Sequence, residues 1–392
     1  MQYFSTNFKL GILGGGQLGK MLLSECAKFD IYAIVLDPSK EAPCSKLASE
    51  FFVGDLMNYD TVLEFGKKAD VITLEIENVN ADALEKLESL GKKVYPSSKN
   101  IKTIQNKGLQ KLFYKENNLP TSNFKIHSNI KSIEQDVASN NLTFPFVWKS
   151  AQFGYDGKGV KIVENKDELS DLSDVECIVE EKIKIKKELS VIISRNESNQ
   201  ESSFPVVEMD FNPKSNLVER VICPANISMS IEENAINIAK NLSKSLNHIG
   251  LLAIEMFLTH DDKILINEIA PRPHNSGHHT IECCFTSQFE QHLRSVLNLP
   301  LGDTSIKIPG IMLNLVGENK NEGEVLYENI DMIMKMPGVT PHIYGKRRSR
   351  LNRKMGHITI VNKNINDAIE MSKKVRKIIK VIKEINKLNF QV

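Results

Sequence analysis

The sequence predicts an α/β protein that opens on a parallel sheet and continues into a second, strand-rich region. Three observations carry this. Over the first hundred residues, short apolar runs alternate with amphipathic helical stretches, the pattern of a parallel sheet with helices on both faces. A glycine cluster, Gly14-Gly15-Gly16-Gln17-Leu18-Gly19, stands where the first run gives way to the first helical stretch. After Leu119-Pro120 the texture changes to short strands around a second glycine-rich segment, followed by a hairpin. The 392 residues make room for two or three domains, at roughly 150 residues each.

Taken in order, Lys9 to Leu13 is the first strand. Leu18, Met21, Leu22 and Cys26 then fall at helical spacing over Gln17 to Phe29. Ile31 to Leu36 is a second strand, closed by Asp37-Pro38. Phe51 to Val53 and Val71 to Leu74 are two more, with a helix from Tyr59 to Lys67 between them. Asp82 to Leu90 is helical and Lys93 to Tyr95 closes the series. Ser97 and Ser98 suit the cap of a connecting helix near Ile101 to Gln105. Lys107 to Asn117 is a helix that ends before Leu119-Pro120. Strands at Phe144 to Ser150 and Val160 to Val163 flank the glycine-rich loop. Those at Cys177 to Glu181 and Glu188 to Ser194 are joined by a lysine-rich link. Ile231 to Leu246 reads as an amphipathic helix, Leu251 to Leu258 with Ile264 to Ile269 as a hairpin, and Phe285 to Leu297 as a helix. The tail holds strands near Ile311 to Val316 and His357 to Val361, then a basic helix from Asn366 to Lys380.

Composition limits the partners. Hydrophobic residues make up 41% and charged residues 25%, and the formal net charge is +1. That is ordinary globular composition with no global basic field to hold nucleic acid. Met1 to Lys9 lacks the apolar core of a signal peptide. The longest apolar stretches, such as Leu251 to Leu258, are too short for a membrane span. The 6 cysteines are scattered, with no Cys-x-x-Cys pair, which fits a reducing cytoplasm better than a disulfide framework.

The glycine cluster between strand and helix suits an anion at a helix N-terminus. Asp37 follows at about the 20-residue distance of a Rossmann dinucleotide fingerprint. The same glycines would equally make a tight turn with no dinucleotide. Phe153-Gly154-Tyr155-Asp156-Gly157-Lys158-Gly159 follows Trp148-Lys149. Its glycines make a pliable strand-flanked loop whose amides can cover phosphates, with Lys149 and Lys158 supplying charge. Alternatively it is a flexible hairpin tip, although a lysine after Phe146-Val147-Trp148 needs a partner.

With Asp261-Asp262 as a two-residue turn, Glu255 falls opposite Glu268 on one face of the hairpin. Two carboxylates that close repel unless a cation lies between them. Magnesium prefers a few carboxylates together with nucleotide phosphates, and Asn267 could add an oxygen. A change of register by one residue would instead send the two acids apart. Pro271-Arg272-Pro273-His274-Asn275-Ser276-Gly277-His278-His279 comes next. Its histidines match no zinc spacing, and Arg272 with Asn275 and Ser276 suits an anionic, hydroxyl-bearing ligand. Lys346-Arg347-Arg348-Ser349-Arg350-Leu351-Asn352-Arg353-Lys354 is the one strongly basic run. It reads as a solvated face, a weak nucleic-acid patch or a local phosphate site, and the lack of interleaved aromatics with the neutral whole favours the last.

Together these pieces resemble the ATP-grasp superfamily and, within it, the 5-(carboxyamino)imidazole ribonucleotide synthases. The resemblance runs over nearly the whole chain. Its most specific part is Leu265-Ile266-Asn267-Glu268-Ile269-Ala270-Pro271-Arg272-Pro273-His274-Asn275-Ser276-Gly277-His278, supported by Gly154 to Gly159, Glu75-Ile76-Glu77-Asn78 and Gly356-His357. It implies an ATP-grasp fold in three parts. These are a Rossmann-like pre-ATP-grasp domain over 1–100, an ATP-grasp domain over 101–300 with a lid at about 121–184, and a small C-terminal domain over 301–392. It also implies a cytoplasmic homodimer.

The implied reaction takes ATP, bicarbonate and 5-aminoimidazole ribonucleotide through carboxyphosphate to the carboxylated amine. Lys107, Lys149 and the loop Gly154, Tyr155, Asp156, Gly157, Lys158, Gly159 and Val160 would meet ATP phosphates. Glu180, Glu181, Lys182 and Ile183 would frame adenine, and Glu188 would hold the ribose. Glu255 and Glu268 would bind magnesium, with Asn267 beside the nucleotide. Tyr155, Asp156, Arg272 and His274 would surround the reacting carboxyl, with Asp156 as base. Lys158, Asn275 and Ser276 would also face the ribonucleotide, Lys346 and Arg353 its phosphate, Gln17 and Leu18 the same ligand, and Glu75 the aminoimidazole.

The chain departs from the family pattern in several places. Lys107 stands where arginine is usual, which keeps the charge but loses the planar fork. Ser150-Ala151-Gln152-Phe153 lacks the usual arginines and first glycine. Glu208-Met209-Asp210-Phe211 replaces the usual Asn-x-His, so Asp210 and Phe211 carry no assigned role. A formate-dependent glycinamide ribonucleotide formyltransferase shares the Pro-Arg-Pro-His stretch but is disfavoured by Asn275-Ser276. A nucleotide-binding regulator without turnover is disfavoured by Glu255, Glu268 and Lys149 together.

Overall fold

The computed structural model describes residues 3–152, 159–213 and 215–384. Strands Leu10–Leu13, Ala33–Asp37, Glu50–Val53, Val71–Leu74 and Lys93–Val94 form a parallel five-stranded sheet. The first, second and fourth of these are short continuous apolar runs, buried almost end to end, as a sheet covered on both faces requires. Asn58 and Asn80 cap the helices Tyr59–Lys67 and Ala81–Ser89 by accepting backbone N–H bonds. The strand order runs outward in both directions from Leu10–Leu13. The crevice at its carboxyl end, where ligands gather in such sheets, therefore holds Gly14 to Gly19 and, from the neighbouring strand, Glu75.

A second, antiparallel sheet orders Phe124–His127, Cys177–Glu181, Phe146–Ser150 and Val160–Val163. Its core packs Phe146, Trp148 and Val179 against Ile133, which lies on the helix Ile130–Ala138. The strand Phe124–His127 and that helix were not legible in the sequence. Four residues alternating apolar and polar between Asn and Ser turns give too short a period to register.

The third sheet has nine strands, all antiparallel. From one edge it runs Ile264–Ala270, Gly250–Thr259, Ile185–Arg195, Val207–Phe211, Val218–Cys223, Gly310–Val316, Lys354–Val361 and Val339–Ile343, with Glu201–Ser203 added beside Ile185–Arg195. The boundary expected near residue 300 thus falls where one sheet continues. Val221 pairs with Met312 across it. One face is covered by the helix Met229–Ser245 and, further along, by Ile365–Ile378. The strands at 207–211 and 218–223 are additional to those expected, although Val207-Glu208-Met209-Asp210-Phe211 alternates apolar and polar strictly, as a half-buried strand does.

Register decides what the other face carries. Glu268 pairs with Glu255, and Glu255 with Ser190. Three strands further on, Asn314 pairs with His357, and His357 with His342. These polar side chains lie on one side of the sheet, because directly opposed residues point the same way. The segment after the hairpin folds over that row. Ser276 hydrogen-bonds Ser190 at 2.8 Å, Asn275 and Asn314 exchange amide bonds at 2.8 Å, and His278 stacks on His357 at 4.6 Å. All six cysteines are buried and free.

Candidate active site

The hairpin is built differently from the two-residue turn expected. Thr259 bonds Lys263 around a three-residue tip in which Asp262 has φ 58°. Leu258 therefore pairs with Ile264, and Met256 with Ile266. This register would set Glu255 opposite Asn267. A bulge between Met256 and Glu255 restores Glu268 to that place, so both Asn267 and Glu268 oppose Glu255.

The two acids are electrically unlike. Burial, with the charges of Glu268 and Glu188 added, pushes the Glu255 carboxyl up to about 8. Lys107, which donates to Glu268 at 2.5 Å, holds Glu268 down at about 2. The Glu268 side chain is still 45% exposed and the Glu255 side chain 15%. The pair lines the floor of an open cleft rather than a sealed core. Lys107 opens the helix Lys107–Glu116, capped by Asn106. Lys149, buried as its apolar neighbours predicted, donates to Asn267 at 3.0 Å and lies 2.9 Å from Glu180.

His274 and Arg272 stand beside this floor. His274 Nε2 is 3.6 Å from Glu255, and its Nδ1 meets Ser276 Oγ at 2.9 Å. Arg272 reaches Glu77 at 2.8 Å, two residues past Glu75, and its Nε is buried without a partner. Gln288, which the sequence did not single out, clamps the His274 backbone on both sides, at 2.9 and 2.8 Å. Asn275 and Ser276, expected to face substrate, spend their polar groups on Asn314, Ser190 and His274 instead. Both are buried, so they mount the segment rather than offering free groups to a ligand.

Glu75 corrects the reading of the glycine cluster. Its carboxylate accepts from the amides of Gly16, Leu18 and Gly19 at 3.0, 3.1 and 3.1 Å. The helix N-terminus thus already holds an anion, supplied by the protein, and Asp37 is spent on the Gly15 amide at 2.8 Å. Both features of a dinucleotide site are consumed internally. A side chain at Gly16 would meet Glu75 Oε1 at 2.7 Å, which accounts for the glycine. Leu18 is buried and Gln17 half-buried beside this cap.

The expected adenine frame is only partly open. The Glu180 carboxylate is buried between Lys111, Lys149 and Ser122. It turns inward because those cations lie beneath it. Glu181 and Lys182 are exposed, bonded to Asn123 and Glu164, and Ile183 is half-buried. Glu188 is pushed up to about 7 by burial, with Lys149 opposing. It borders a cleft of about 620 Å³ with Lys187, Glu208, Asp210, Phe211 and Arg220. The unassigned Asp210 and Phe211 are therefore wall residues of that cleft, and Asp210 pairs with Arg220. Gly154, Tyr155, Asp156, Gly157 and Lys158 lie outside the described residues. After them, the Gly159 carbonyl accepts from the Ser150 amide and Val160 pairs with Lys149.

The basic run is not a uniform face. Lys346 donates to the Lys354 carbonyl at 2.8 Å and Arg353 to the Arg348 carbonyl at 2.7 Å. Lys20, the residue directly after the glycine cluster, donates to the Ile343 carbonyl at 2.7 Å. That bond brings the first helix against the segment leading to Lys346. Among the described residues no group of three or more His, Cys, Asp or Glu is placed to hold a metal. No helix among them is long and apolar enough to cross a membrane.

A four-stranded antiparallel sheet beside a large antiparallel sheet, with Lys149 of the first and Lys107 of the preceding helix reaching Asn267 and Glu268 of the second, defines an ATP-grasp protein. Family models agree: an ATP-grasp domain matches residues 112–289, a ribonucleotide synthetase preATP-grasp domain residues 8–105, and a phosphoribosylaminoimidazole carboxylase C-terminal domain residues 310–371. The chain is 35% identical to the N5-carboxyaminoimidazole ribonucleotide synthase of Bacillus subtilis, covering 90% of this chain and 91% of that one. It is 40% identical to the chloroplastic phosphoribosylaminoimidazole carboxylase of Vigna aconitifolia over 91% of its own length, but spans only 64% of that longer protein. The structure of N5-carboxyaminoimidazole ribonucleotide synthetase from Thermotoga maritima superposes with a TM-score of 0.88 at 39% identity, covering 96% of this chain and all of that one. The chain belongs to the N5-carboxyaminoimidazole ribonucleotide synthase family.

Proposed function

We propose that this chain uses ATP and bicarbonate to carboxylate the exocyclic amine of 5-aminoimidazole ribonucleotide, forming ADP and orthophosphate, as an ADP-forming carbon–nitrogen ligase of purine biosynthesis. The observation that carries the reading is the opposition of Glu255 and Glu268 beneath Lys107 and Lys149, beside Arg272 and His274.

ATP enters the cleft between the two antiparallel sheets. Lys107, Lys149 and the segment from Gly154 to Val160 take its phosphates. Glu181, Lys182 and Ile183 take adenine, with Glu180 behind them, and Glu188 takes the ribose. Magnesium fits the donor set on one observation. Burial and two neighbouring carboxylates keep Glu255 protonated near neutrality, and a divalent cation would favour its ionised form. Glu255 and Glu268 would hold it with Asn267 near, and two protein carboxylates plus phosphate oxygens suit that ion. When bound, it supplies charge stabilisation to the transferring phosphoryl group.

Transfer of the γ-phosphoryl group to a bicarbonate oxygen gives carboxyphosphate and ADP. The amine nitrogen then bonds to the carboxyl carbon and orthophosphate leaves. Asp156 takes the amine proton, while Arg272, His274 and Tyr155 surround the carboxyl group. Lys346 and Arg353 hold the ribonucleotide phosphate, with Gln17, Leu18 and Lys158 beside it. Glu75 acts through the helix terminus it caps, and Asn275 and Ser276 by mounting the segment. The proposed division is 1–100, 101–300 with the lid near 121–184, and 301–392, in a cytoplasmic homodimer. ADP release measured with and without the ribonucleotide and bicarbonate tests the reaction. Equal release with formate and glycinamide ribonucleotide would overturn it.

A further inference from the structure

Gln288 opens the helix Gln288–Val296 and is fully buried. Its side-chain amide is spent entirely on the segment that carries His274. Oε1 accepts from the His274 N–H at 2.9 Å, and Nε2 donates to the His274 carbonyl at 2.8 Å. Those two bonds fix which end of the amide is which, so the second Nε2 hydrogen goes to His278 Nδ1, at 3.0 Å. A side chain at Gly277 would meet Gln288 Oε1 at 2.5 Å, so the segment lies flat against the amide because residue 277 is glycine. Held this way, His274 accepts the Ser276 N–H on Nδ1 at 3.3 Å. Its neutral ring then carries the proton on Nε2, which faces Glu255 across 3.6 Å.

The helix behind Gln288 is built into the other side of the molecule. Phe289, Leu293 and Val296 share a core with Leu10, Leu18 and Leu22. Ser287 donates to Glu25 at 2.8 Å, and Lys28 to Glu290 at 2.5 Å. Leu18 is itself one of the residues proposed to meet the ribonucleotide. We infer that Gln288 is a positioning residue for carboxyl transfer: through the His274 backbone it fixes that imidazole to the same frame that carries Gln17 and Leu18. The amine of the ribonucleotide and the carboxyl carbon must meet in register. If they do not, water returns carboxyphosphate to bicarbonate and orthophosphate. Glu255 and Glu268 take their places from strand register instead, so ATP activation does not depend on this amide.

The inference rests on the carboxylation proposed above. Its test measures ADP and carboxylated ribonucleotide in one reaction of the full chain with ATP, bicarbonate and aminoimidazole ribonucleotide. ATP affinity is measured separately by titration calorimetry. Gln288→Met removes all three bonds at similar size. It should leave ATP affinity within about twofold and raise the ratio of ADP to product from one to about ten, since misplacing a group at the reacting centre costs roughly ten- to a hundredfold. Thr280→Val is the control. The Thr280 hydroxyl accepts the Gln288 backbone N–H at 2.8 Å and donates to the Gly277 carbonyl at 2.6 Å, so its loss loosens the same turn without freeing the His274 backbone. Thr280→Val should lower the melting temperature and keep the ratio near one. A ratio near one in Gln288→Met overturns the inference, and so does an equal rise in Thr280→Val. Where Gln288→Met fails to fold, Gln288→Asn, whose amide is a methylene too short to reach both His274 groups, decides by the same ratio. Wild type that turns over ATP without carboxylated product overturns the proposed reaction and this inference with it, before any variant is made.

Discussion

Glu255 faces Glu268 through one extra residue: the three-residue hairpin tip shifts the ladder by one, and the bulge at Asn267 shifts it back. The result is two side chains of one strand opposed to one of the other, in a floor of three oxygen-bearing groups. Replacing Glu268 or Glu255 by alanine should abolish ADP formation, because charge stabilisation of phosphoryl transfer is worth several kcal/mol. Asn267→Ala, which removes only the acceptor of Lys149, should cost less, about 1 kcal/mol or five- to tenfold. Steady-state ADP assays with circular dichroism as the folding control measure both. Near-normal turnover in Glu268→Ala would remove the metal assignment.

Lys346 and Arg353, proposed to hold the ribonucleotide phosphate, follow the segment that the Lys20 bond to the Ile343 carbonyl joins to the first helix. Alanine at either should raise the KM for aminoimidazole ribonucleotide by more than tenfold, since a charge-assisted contact contributes roughly 1.5–3 kcal/mol. The KM for ATP should stay nearly constant. Equal effects on both substrates would point to another site.

Asp156→Asn should separate the two halves of the reaction. A carboxylate among phosphates repels them, so its place is with the amine, where a base contributes about 10²–10⁴-fold. ADP should still form while carboxylated product falls, measured in one reaction. A one-to-one ratio at normal rate would leave the mechanism without its base.

Glu255 also sets a pH dependence of stability. Its folded value, about 8, lies above the unfolded carboxyl value. Between these the folded state carries a proton the unfolded state lacks, so stability falls as pH rises and the full cost is reached above about 8. Glu188, raised to about 7, acts in the same direction. Buried His248, His278, His279, His292 and His357, all lowered by burial, act oppositely but only below their unfolded value near 6.5. Glu268 and Glu180, lowered to about 2, act only at acid pH. Urea unfolding from pH 6.5 to 8 should thus show wild type losing on the order of 1 kcal/mol relative to Glu255→Gln. Parallel slopes would show that Glu255 is ionised without a cation.

The sequence by itself determined the parallel N-terminal sheet, the hairpin, and the residue types at the cleft. Those features are local: continuous apolar runs and a motif contiguous from Leu265 to His278. It also placed Lys149 correctly as a buried cation in need of a partner, because that need follows from its immediate neighbours. What only the tertiary structure decided are the pairings between distant segments. Glu75 fills the helix N-terminus that the glycines had seemed to reserve for a ligand. Glu180 turns inward to Lys111, 69 residues away. Asn275 and Ser276 are taken by Asn314 and Ser190. A buried polar group must find a partner, but a linear pattern names the group and not the partner. That choice is made by sheet register, where a shift of one residue reverses every side chain on the strand.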